Sequence, residues 1–374
     1  MKCRREADEP MVLDAFLLAL SFVIIIVGAE LFTNAVEWLG VRLSLSEGAV
    51  GSVLAAVGTA LPETLIPLVA LAFFHEARSA EVGLGAILGA PFMLATVAFF
   101  VTALAAWVYR RRREWGMRLL VDRRVVCRDL GFFLPLYGCA IAVSFAPVGS
   151  PVRWVVAAGL LASYGYYLYL NLRETSEGKK EEPLMLNVVW AWLPLVRPRA
   201  NREAHRDRLR QLNGRPPRIR AVSGQLLAAL ALIIGGAYEF VRATQDVCTT
   251  LGLSPLLFSL IVAPLATELP EKFNSVIWIR QGKDTLSLGN ITGAMVFQSV
   301  FPVVLGMLLT EWHFLSLPTF DAAMLSAGIA IGSSAIVLVT VRSGRGATMA
   351  PWSLAVGVLW WAGFALYVAV TRAL

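Results

Sequence analysis

Two stretches of the chain repeat one phrase. Residues 55 to 63 read Ala-Ala-Val-Gly-Thr-Ala-Leu-Pro-Glu and residues 263 to 271 read Ala-Pro-Leu-Ala-Thr-Glu-Leu-Pro-Glu, each inside an apolar run of membrane length. A carboxylate beside a helix-breaking proline is costly at bilayer depth, so Glu63 and Glu271 are the first candidates for a functional site. Proline has no amide hydrogen and clashes with the carbonyl four residues earlier. Pro62 therefore leaves the Gly58 oxygen without its helical partner, and Pro270 does the same to Ala266. In hydrocarbon such an oxygen must find protein, water or an ion. Residues i and i+4 share a helix face, which sets Thr59 over Glu63 and Thr267 over Glu271. Carboxylates, hydroxyls and carbonyls gathered in this way suit a hard cation such as Na⁺ or Ca²⁺, and one or more of the carboxylates could carry protons instead. The bland alternative is a pair of kinks whose neutral glutamic acids pack two helices. Recurrence of the phrase in register argues against it.

The elements that position this phrase are themselves duplicated. With Gly28 set on Gly236, a register of 208 runs without a gap to Glu63 and Glu271, and 12 of the 36 pairs are identical. The register resumes with Gly85 on Gly289 and Gly89 on Gly293, small residues that let backbones approach closely, and Gly165 and Tyr169 later echo Gly363 and Tyr367. Hydrophobic residues make up 57% of the chain and charged ones 16%, and mean hydropathy is +0.67, too few polar side chains to clothe a soluble globule.

Apolar runs long enough to span lie at 12 to 36, 48 to 74, 82 to 109, 130 to 148, 154 to 172, 222 to 241, 253 to 279, 285 to 310, 321 to 341 and 350 to 371. The expectation is an all-α polytopic membrane protein of ten transmembrane helices. A first five-helix repeat occupies 12–172 and a second 222–371. Because five is odd, the second repeat enters the bilayer inverted, and a shared site is expected near the midplane where equivalent helices face each other.

Charge sets the orientation. Of the 33 Lys and Arg residues, 25 fall on one side of such a path, seven on the other, and Lys272 lies within a helix. The positive-inside rule then puts both termini outside and makes the 3–4 loop and the 173–221 linker cytoplasmic, in what reads as a bacterial plasma membrane. Leu184 to Val196, with Trp190 and Trp192, is too short to span and reads as an interfacial helix. The run Arg110 to Arg113 pins helix 3 at the headgroups or simply fixes topology. The apolar run continues past position 25 without a small-residue cleavage site, so the first segment reads as helix 1 and not a removed signal. Cys3, Cys127, Cys139 and Cys248 have no metal or disulfide spacing. The net charge of +7 follows from topology, and nucleic acid is not expected as a partner.

Gly58-Thr59-Ala60-Leu61-Pro62-Glu63 resembles the Gly-Thr-Ser-Leu-Pro-Glu phrase of the cation/calcium exchanger superfamily, and Ala266-Thr267-Glu268-Leu269-Pro270-Glu271 resembles its second copy. Gly28-Ala29-Glu30 and Gly289-Asn290-Ile291-Thr292-Gly293 are similar to family sequence as well. The resemblance implies a sodium/calcium exchanger fold of a divergent prokaryotic type. It implies further that helices 2, 3, 7 and 8 form the ion site, that helices 1 and 6 slide to alternate access, and that Thr59, Glu63, Thr267 and Glu271 are ligands. The chain departs from that pattern at Ala60, Glu268, Ala90, Leu94, Ala294 and Gln298. The oxygen donors left are Thr59, Glu63, Thr267, Glu268, Glu271, Gln298 and carbonyls such as Gly58 and Ala266.

Lys272 follows Glu271 directly. Either it points away, or it pairs with Glu268 or Glu271 and stands in for a cation. The second arrangement would yield a monovalent or proton-coupled antiporter. The leading expectation is a secondary antiporter exchanging Ca²⁺ or Na⁺ for Na⁺ or H⁺, with small inorganic cations and the bilayer as partners and no cofactor. A transport-inactive homologue acting as a sensor or scaffold is the alternative that the missing donors suggest. An intramembrane hydrolase finds no support, because His75-Glu76 lacks a second histidine and no Gly-x-Ser-x-Gly occurs.

Overall fold

The computed structural model describes residues 2–42, 55–74, 76–172, 218–317, 319–344 and 348–373. Within these, the side chains of residues 2–11, 37, 40–42, 55–61, 172, 266, 269–271, 273, 274, 316, 372 and 373 are outside the description. The linker and its expected interfacial helix lie almost wholly beyond it.

The first half comprises α1 (Lys2–Arg42), α2 (Ala55–Ala72), α3 (Ala77–Met93), α4 (Phe99–Val108), α5 (Arg123–Val143) and α6 (Val152–Leu172). The second comprises α7 (Ile219–Leu251), α8 (Pro255–Arg280), α9 (Asp284–Gln298), α10 (Phe301–Leu309), α11 (Phe320–Ser343) and α12 (Trp352–Ala373). Two short strands, β1 (Leu119–Leu120) and β2 (Thr348–Met349), pair antiparallel.

Among the described residues, seven helical units are long and apolar enough to cross a membrane. They are Val12–Val36 of α1, the α3–α4 unit Ala77–Val108, α5, α7, the α9–α10 unit Asp284–Leu309, α11, and Trp352–Thr371 of α12. Two shorter apolar stretches lie within the described parts of α2 (Pro62–Ala72) and α8 (Pro255–Leu265), and α6 is a further helix of 21 residues that carries four tyrosines.

Sequence fixes the ends of these helices locally. Gly252, in the left-handed region at φ +63°, ends α7, and Ser254 then caps α8 by accepting from the Leu257 amide at 3.4 Å, with Pro255 at the first helical position. Ser254 is one of the repeat's identical positions, the counterpart of Ser46.

The prolines of the repeated phrase do not end their helices, since α2 runs through Pro62 and α8 through Pro270. The interruptions fall on the third helix of each repeat. A π-helical segment, Leu94–Ala98, joins α3 to α4, and α9 stops at Gln298 before α10 restarts at Phe301. In the Gly85–Gly289 register these breaks coincide, Leu94 on Gln298 and Ala98 on Pro302. Pro302 removes the amide that would bond to the Gln298 carbonyl. The π segment is held from outside, as Ser333 Oγ donates to the Ala95 carbonyl at 2.6 Å and Gly357 packs on the Thr96 backbone.

The two halves pack with a local two-fold relation. α1 lies along α7, where a Cβ on Gly28 would meet Ile233 Cγ1 at 2.8 Å and a Cβ on Gly236 would meet Ile25 Cγ1 at 2.8 Å. Gly28 and Gly236, like Ile25 and Ile233, are 208 apart, so the contact is reciprocal, as between subunits of a symmetric dimer.

The loops sort into two sets. In one, Arg113 after α4 binds Asp284 at 2.6 Å, the Asp122 amide donates to Thr285, β1 pairs with β2, and Arg123 donates to the carbonyls of Val341 and Arg342. In the other, Arg78 meets Thr249, Arg153 donates to the Thr310 carbonyl at 3.2 Å, and His313 Nδ1 lies 3.2 Å from the Ala146 carbonyl. This division is the one that alternating crossings require. The Arg-rich loop is not wholly given to headgroups, because Arg113 is buried and turned inward onto Asp284.

α3 and α8 cross with backbones nearly touching. A Cβ on Gly89 would sit 2.2 Å from the Leu260 carbonyl oxygen. Gly89→Ala should therefore force the helices apart and lower stability by about 1–3 kcal/mol, read as a drop in thermal midpoint in detergent. Gly138→Ala on α5, where an added methyl meets nothing within 4 Å, should be neutral or stabilising.

Candidate functional site

The site lies where α2, α3, α8 and α9 meet, and each of these four helices contacts the other three. Small residues allow it. Gly85 and Gly89 of α3 admit the Leu256 and Leu260 carbonyls of α8, and Ser259 Oγ donates to the Val82 carbonyl at 2.7 Å. The equivalent glycines of α9 take different partners, since Gly289 faces Val125 and Gly293 faces the Tyr167 hydroxyl. The same sequence feature thus packs backbone on backbone in one repeat and side chains in the other.

Glu63 is buried on α2, and Thr267, Glu268 and Lys272 are buried together on α8. Lys272 Nζ donates to Glu268 Oε2 at 2.6 Å, with side-chain exposures of 11% and 4%. One helical turn separates the two residues, so α8 alone sets the pair. Of the two arrangements open to Lys272, the structure has the one in which it pairs with Glu268. The second carboxylate oxygen, Glu268 Oε1, is buried and finds no hydrogen-bond partner among the described residues. Thr267 Oγ1 lies 3.4 Å from the Ala263 carbonyl, a weak bond that leaves the hydroxyl available.

Gln298 sits at the break between α9 and α10, fully buried, and its Oε1 likewise has no hydrogen-bond partner among the described residues. An orphaned acceptor in an apolar site costs on the order of 1–3 kcal/mol, a cost that a bound cation or water removes. The side chains of Thr59, Ala266 and Glu271 fall outside the description. Among the described residues, no group of three or more His, Cys, Asp or Glu is placed to hold a metal ion.

Sequence reasoning missed two polar clusters. Asp284 accepts from both Arg113 Nη1 and Nη2 and from the Leu120 amide, locking the start of α9 to the loop after α4. Asp129, buried on α5, accepts from Thr292 of α9 and Tyr167 of α6. Asp129 was hidden because the apolar run begins one residue after it, whereas α5 begins at Arg123.

Comparison with known proteins gives a consistent picture. The family model for sodium/calcium exchanger protein matches residues 13–173 and 222–371. A curated relative, the putative antiporter CaxA of Alkalimonas amylolytica, is 36% identical over 72 residues, which are 19% of this chain and 23% of that protein, so the match spans less than a quarter of the relative. The crystal structure of the H⁺/Ca²⁺ exchanger CAX superposes with a TM-score of 0.68 at 15% identity, covering 96% of this chain and 87% of that one. The sodium-calcium exchanger NCX_Mj soaked with 2.5 mM Na⁺ and 10 mM Sr²⁺ gives 0.52 at 16% identity, covering 97% and 99%. At these identities the structural likeness concerns the fold.

Removing one partner of a buried pair strands a charge and costs on the order of 3–5 kcal/mol, while replacing both by isosteric neutral groups is often harmless. Glu268→Gln and Lys272→Met should each lower the thermal midpoint, and the double variant should recover most of the loss. Additive losses would mean that the two groups do not interact.

Proposed function

The chain belongs to the sodium/calcium exchanger protein family, and from that premise we propose that it is a secondary cation antiporter. It exchanges a metal cation, Ca²⁺ or Na⁺, for Na⁺ or H⁺ by alternating access at a midplane carboxylate site. The observation that carries this reading is the ammonium of Lys272 held 2.6 Å from Glu268 where four helices meet. An intramembrane lysine paired with a carboxylate occupies the place a cation would take.

The path we infer has ten crossings, five in each of the repeats 12–172 and 222–371, joined by the 173–221 linker. The two sets of loop contacts support it. Charge bias supports an orientation with the linker and the loop after α4 in the cytoplasm and both termini outside. Ligands for the transported ion are Glu63, Glu268, Glu271, Thr59, Thr267 and Gln298, supplemented by the Gly58 and Ala266 carbonyls. The exchange needs no cofactor, and its partners are small inorganic cations in a lipid bilayer. The apolar positions Ala60, Ala90 and Leu94 leave one flank of the cage without donors, so fewer ions bind at once than in a fully lined site.

Lys272 also biases the choice of ion. Two unit charges about 4 Å apart at an effective dielectric of about 20 repel by about 4 kcal/mol, and a divalent ion doubles that. A Ca²⁺ entering beside Glu268 must therefore displace or deprotonate Lys272, whereas Na⁺ faces half the penalty. The pair favours a monovalent or proton-coupled exchange in which the ammonium and the incoming cation alternate on Glu268. Both versions share the same carboxylates and differ in what Lys272 does during the cycle.

In proteoliposomes, an imposed Na⁺ or pH gradient should drive uptake of a counter-cation. Glu63→Gln and Glu271→Gln should each cut it at least roughly tenfold, the equivalent of about 1.4 kcal/mol. The double variant Glu268→Gln with Lys272→Met should lose coupling to protons. Absence of any gradient-driven flux of Na⁺, Ca²⁺ or Mn²⁺ by the native protein would leave the sensor or scaffold alternative standing.

A further inference from the structure

Asp129 lies six residues into α5, about 9 Å along the helix at 1.5 Å per residue, and is 2% exposed. Tyr167 OH donates to Oδ1 at 3.1 Å, Thr292 Oγ1 lies 2.6 Å from Oδ2, and Arg128 Nε is 3.6 Å from Oδ1. Thr292 Oγ1 is also 3.1 Å from the Leu288 carbonyl, one turn back on its own helix. A hydroxyl carries a single hydrogen and cannot serve both acceptors at once. With Asp129 ionised, the Thr292 hydrogen points at Oδ2. With a proton on Oδ2, Asp129 donates to Thr292 and the Thr292 hydrogen turns to the Leu288 carbonyl. Both acceptors are within reach of Thr292 Oγ1, so the protonation of Asp129 decides which of them takes the hydrogen.

We propose that Asp129 is a proton-binding site separate from the midplane carboxylates, and that Thr292 reads its protonation into α9. The step is balanced: one proton from solvent binds Oδ2, no other covalent bond changes, the Asp129–Thr292 hydrogen bond reverses direction, and the Thr292 hydrogen moves to the Leu288 carbonyl. A threonine hydroxyl that bonds the carbonyl four residues back tends to bend its helix. Six residues further on, α9 presents Gln298 at the break, so a bend at Thr292 moves a candidate ligand. A Cβ at Gly293 would stand 3.5 Å from the Tyr167 hydroxyl, an ordinary contact, so α6 and α9 are neighbours at the cluster.

An open, mostly apolar groove of about 470 Å³ between α5 and α6 has Arg128 on its wall beside Phe132, Pro135, Leu136 and Ser163, and Arg128 Nε lies 3.6 Å from Asp129 Oδ1. The charged and titratable groups around Asp129 are few. α5 contributes Arg128, with Arg123 and Arg124 at its start, and α6 contributes Tyr164 and Tyr167. α9 has no acid or base between Asp284 and Gln298, and α11, which packs on α5, has none between Asp321 and Arg342. The device exists in one repeat, because the counterpart of Thr292 in the first is Leu88, buried in the apolar core. Two mirror-related conformations of an inverted repeat would otherwise be close in energy, and a switch on one side makes their balance depend on pH.

The consequence for exchange rests on the antiporter reading, but the site itself does not, and the test separates them. Difference infrared spectra of the purified protein between about pH 5 and pH 9 should show a carboxylic-acid carbonyl band that is lost in Asp129→Asn. Thr292→Val keeps the acid and removes its reader, so the band should persist with a midpoint displaced by about one pH unit or more. In liposomes, the same variant should flatten the pH dependence of flux. A native band unchanged by Asp129→Asn overturns the proposal. Should Asp129→Asn not fold, an unshifted midpoint in Thr292→Val overturns it equally. Loss of all flux in the native protein defeats the antiporter reading and leaves the infrared result to decide Asp129.

Discussion

Ionised and polar groups inside a lipid bilayer must be compensated by the protein itself, and that constraint shapes every unusual feature of this chain. Lys272 closes on Glu268 within one helix, Asp284 is wrapped by Arg113 at a helix start, and Asp129 collects two hydroxyls and a guanidinium. Each of these clusters sits where helices come close. α3 and α8 approach through Gly85 and Gly89, and α9 meets α5 and α6 through Gly289 and Gly293. Close approach excludes lipid, and exclusion of lipid is what makes a buried charge tolerable. The glycines and the charges are therefore one design, with the former creating the environment that the latter need.

The inverted duplication supplies the frame, and departures from it supply the chemistry. Gly28 on Ile233 and Gly236 on Ile25 are interchangeable contacts, and the third helices break at matching positions. The polar residues do not match. Glu268 faces Ala60 across the register, Gln298 faces Leu94, Thr292 faces Leu88, and Lys272 faces Thr64. Of the charged candidates at the site, the second repeat thus holds Glu268, Glu271 and Lys272 while the first offers the buried Glu63. A symmetric scaffold with asymmetric chemistry can adopt two related conformations of unequal energy, and a bound cation or proton then shifts the balance by its differential affinity for the two.

Much of this was legible in the sequence, because duplication and hydropathy are properties of linear order. The repeated Thr-x-Leu-Pro-Glu phrase, the 208 register and the glycine pairs led to the helices that meet at the site. The Lys272 alternatives were readable too, but the choice of Glu268 over Glu271 was left open in the sequence and comes from the structure. What stayed hidden depends on tertiary partners. The third-helix breaks need Ser333 and Gly357 from distant helices to hold the π segment, although Pro302 in the second copy was a local sign. Asp129 looked like a loop residue because Arg123, Arg124 and Arg128 precede it, and only α9 and α6 packing on α5 give it partners. Arg113 read as one of four loop arginines, and its distinction comes from Asp284, 171 residues away.

The count of charges at the midplane bears on how exchange is enforced. On the proposed reading, Glu63, Glu268 and Glu271 contribute three negative charges when ionised and Lys272 one positive, leaving two to be balanced. A site carrying two uncompensated charges is expensive to close off from water, at several kcal/mol per ion even after relaxation. Two monovalent cations or two protons would each neutralise it and allow occlusion with Lys272 in place. An empty site would resist occlusion, which is the property an obligatory exchanger needs. Lys272 lowers the number of external charges required from three to two, a count that two monovalent cations or two protons meet while its ammonium stays on Glu268, whereas a divalent ion must first displace it.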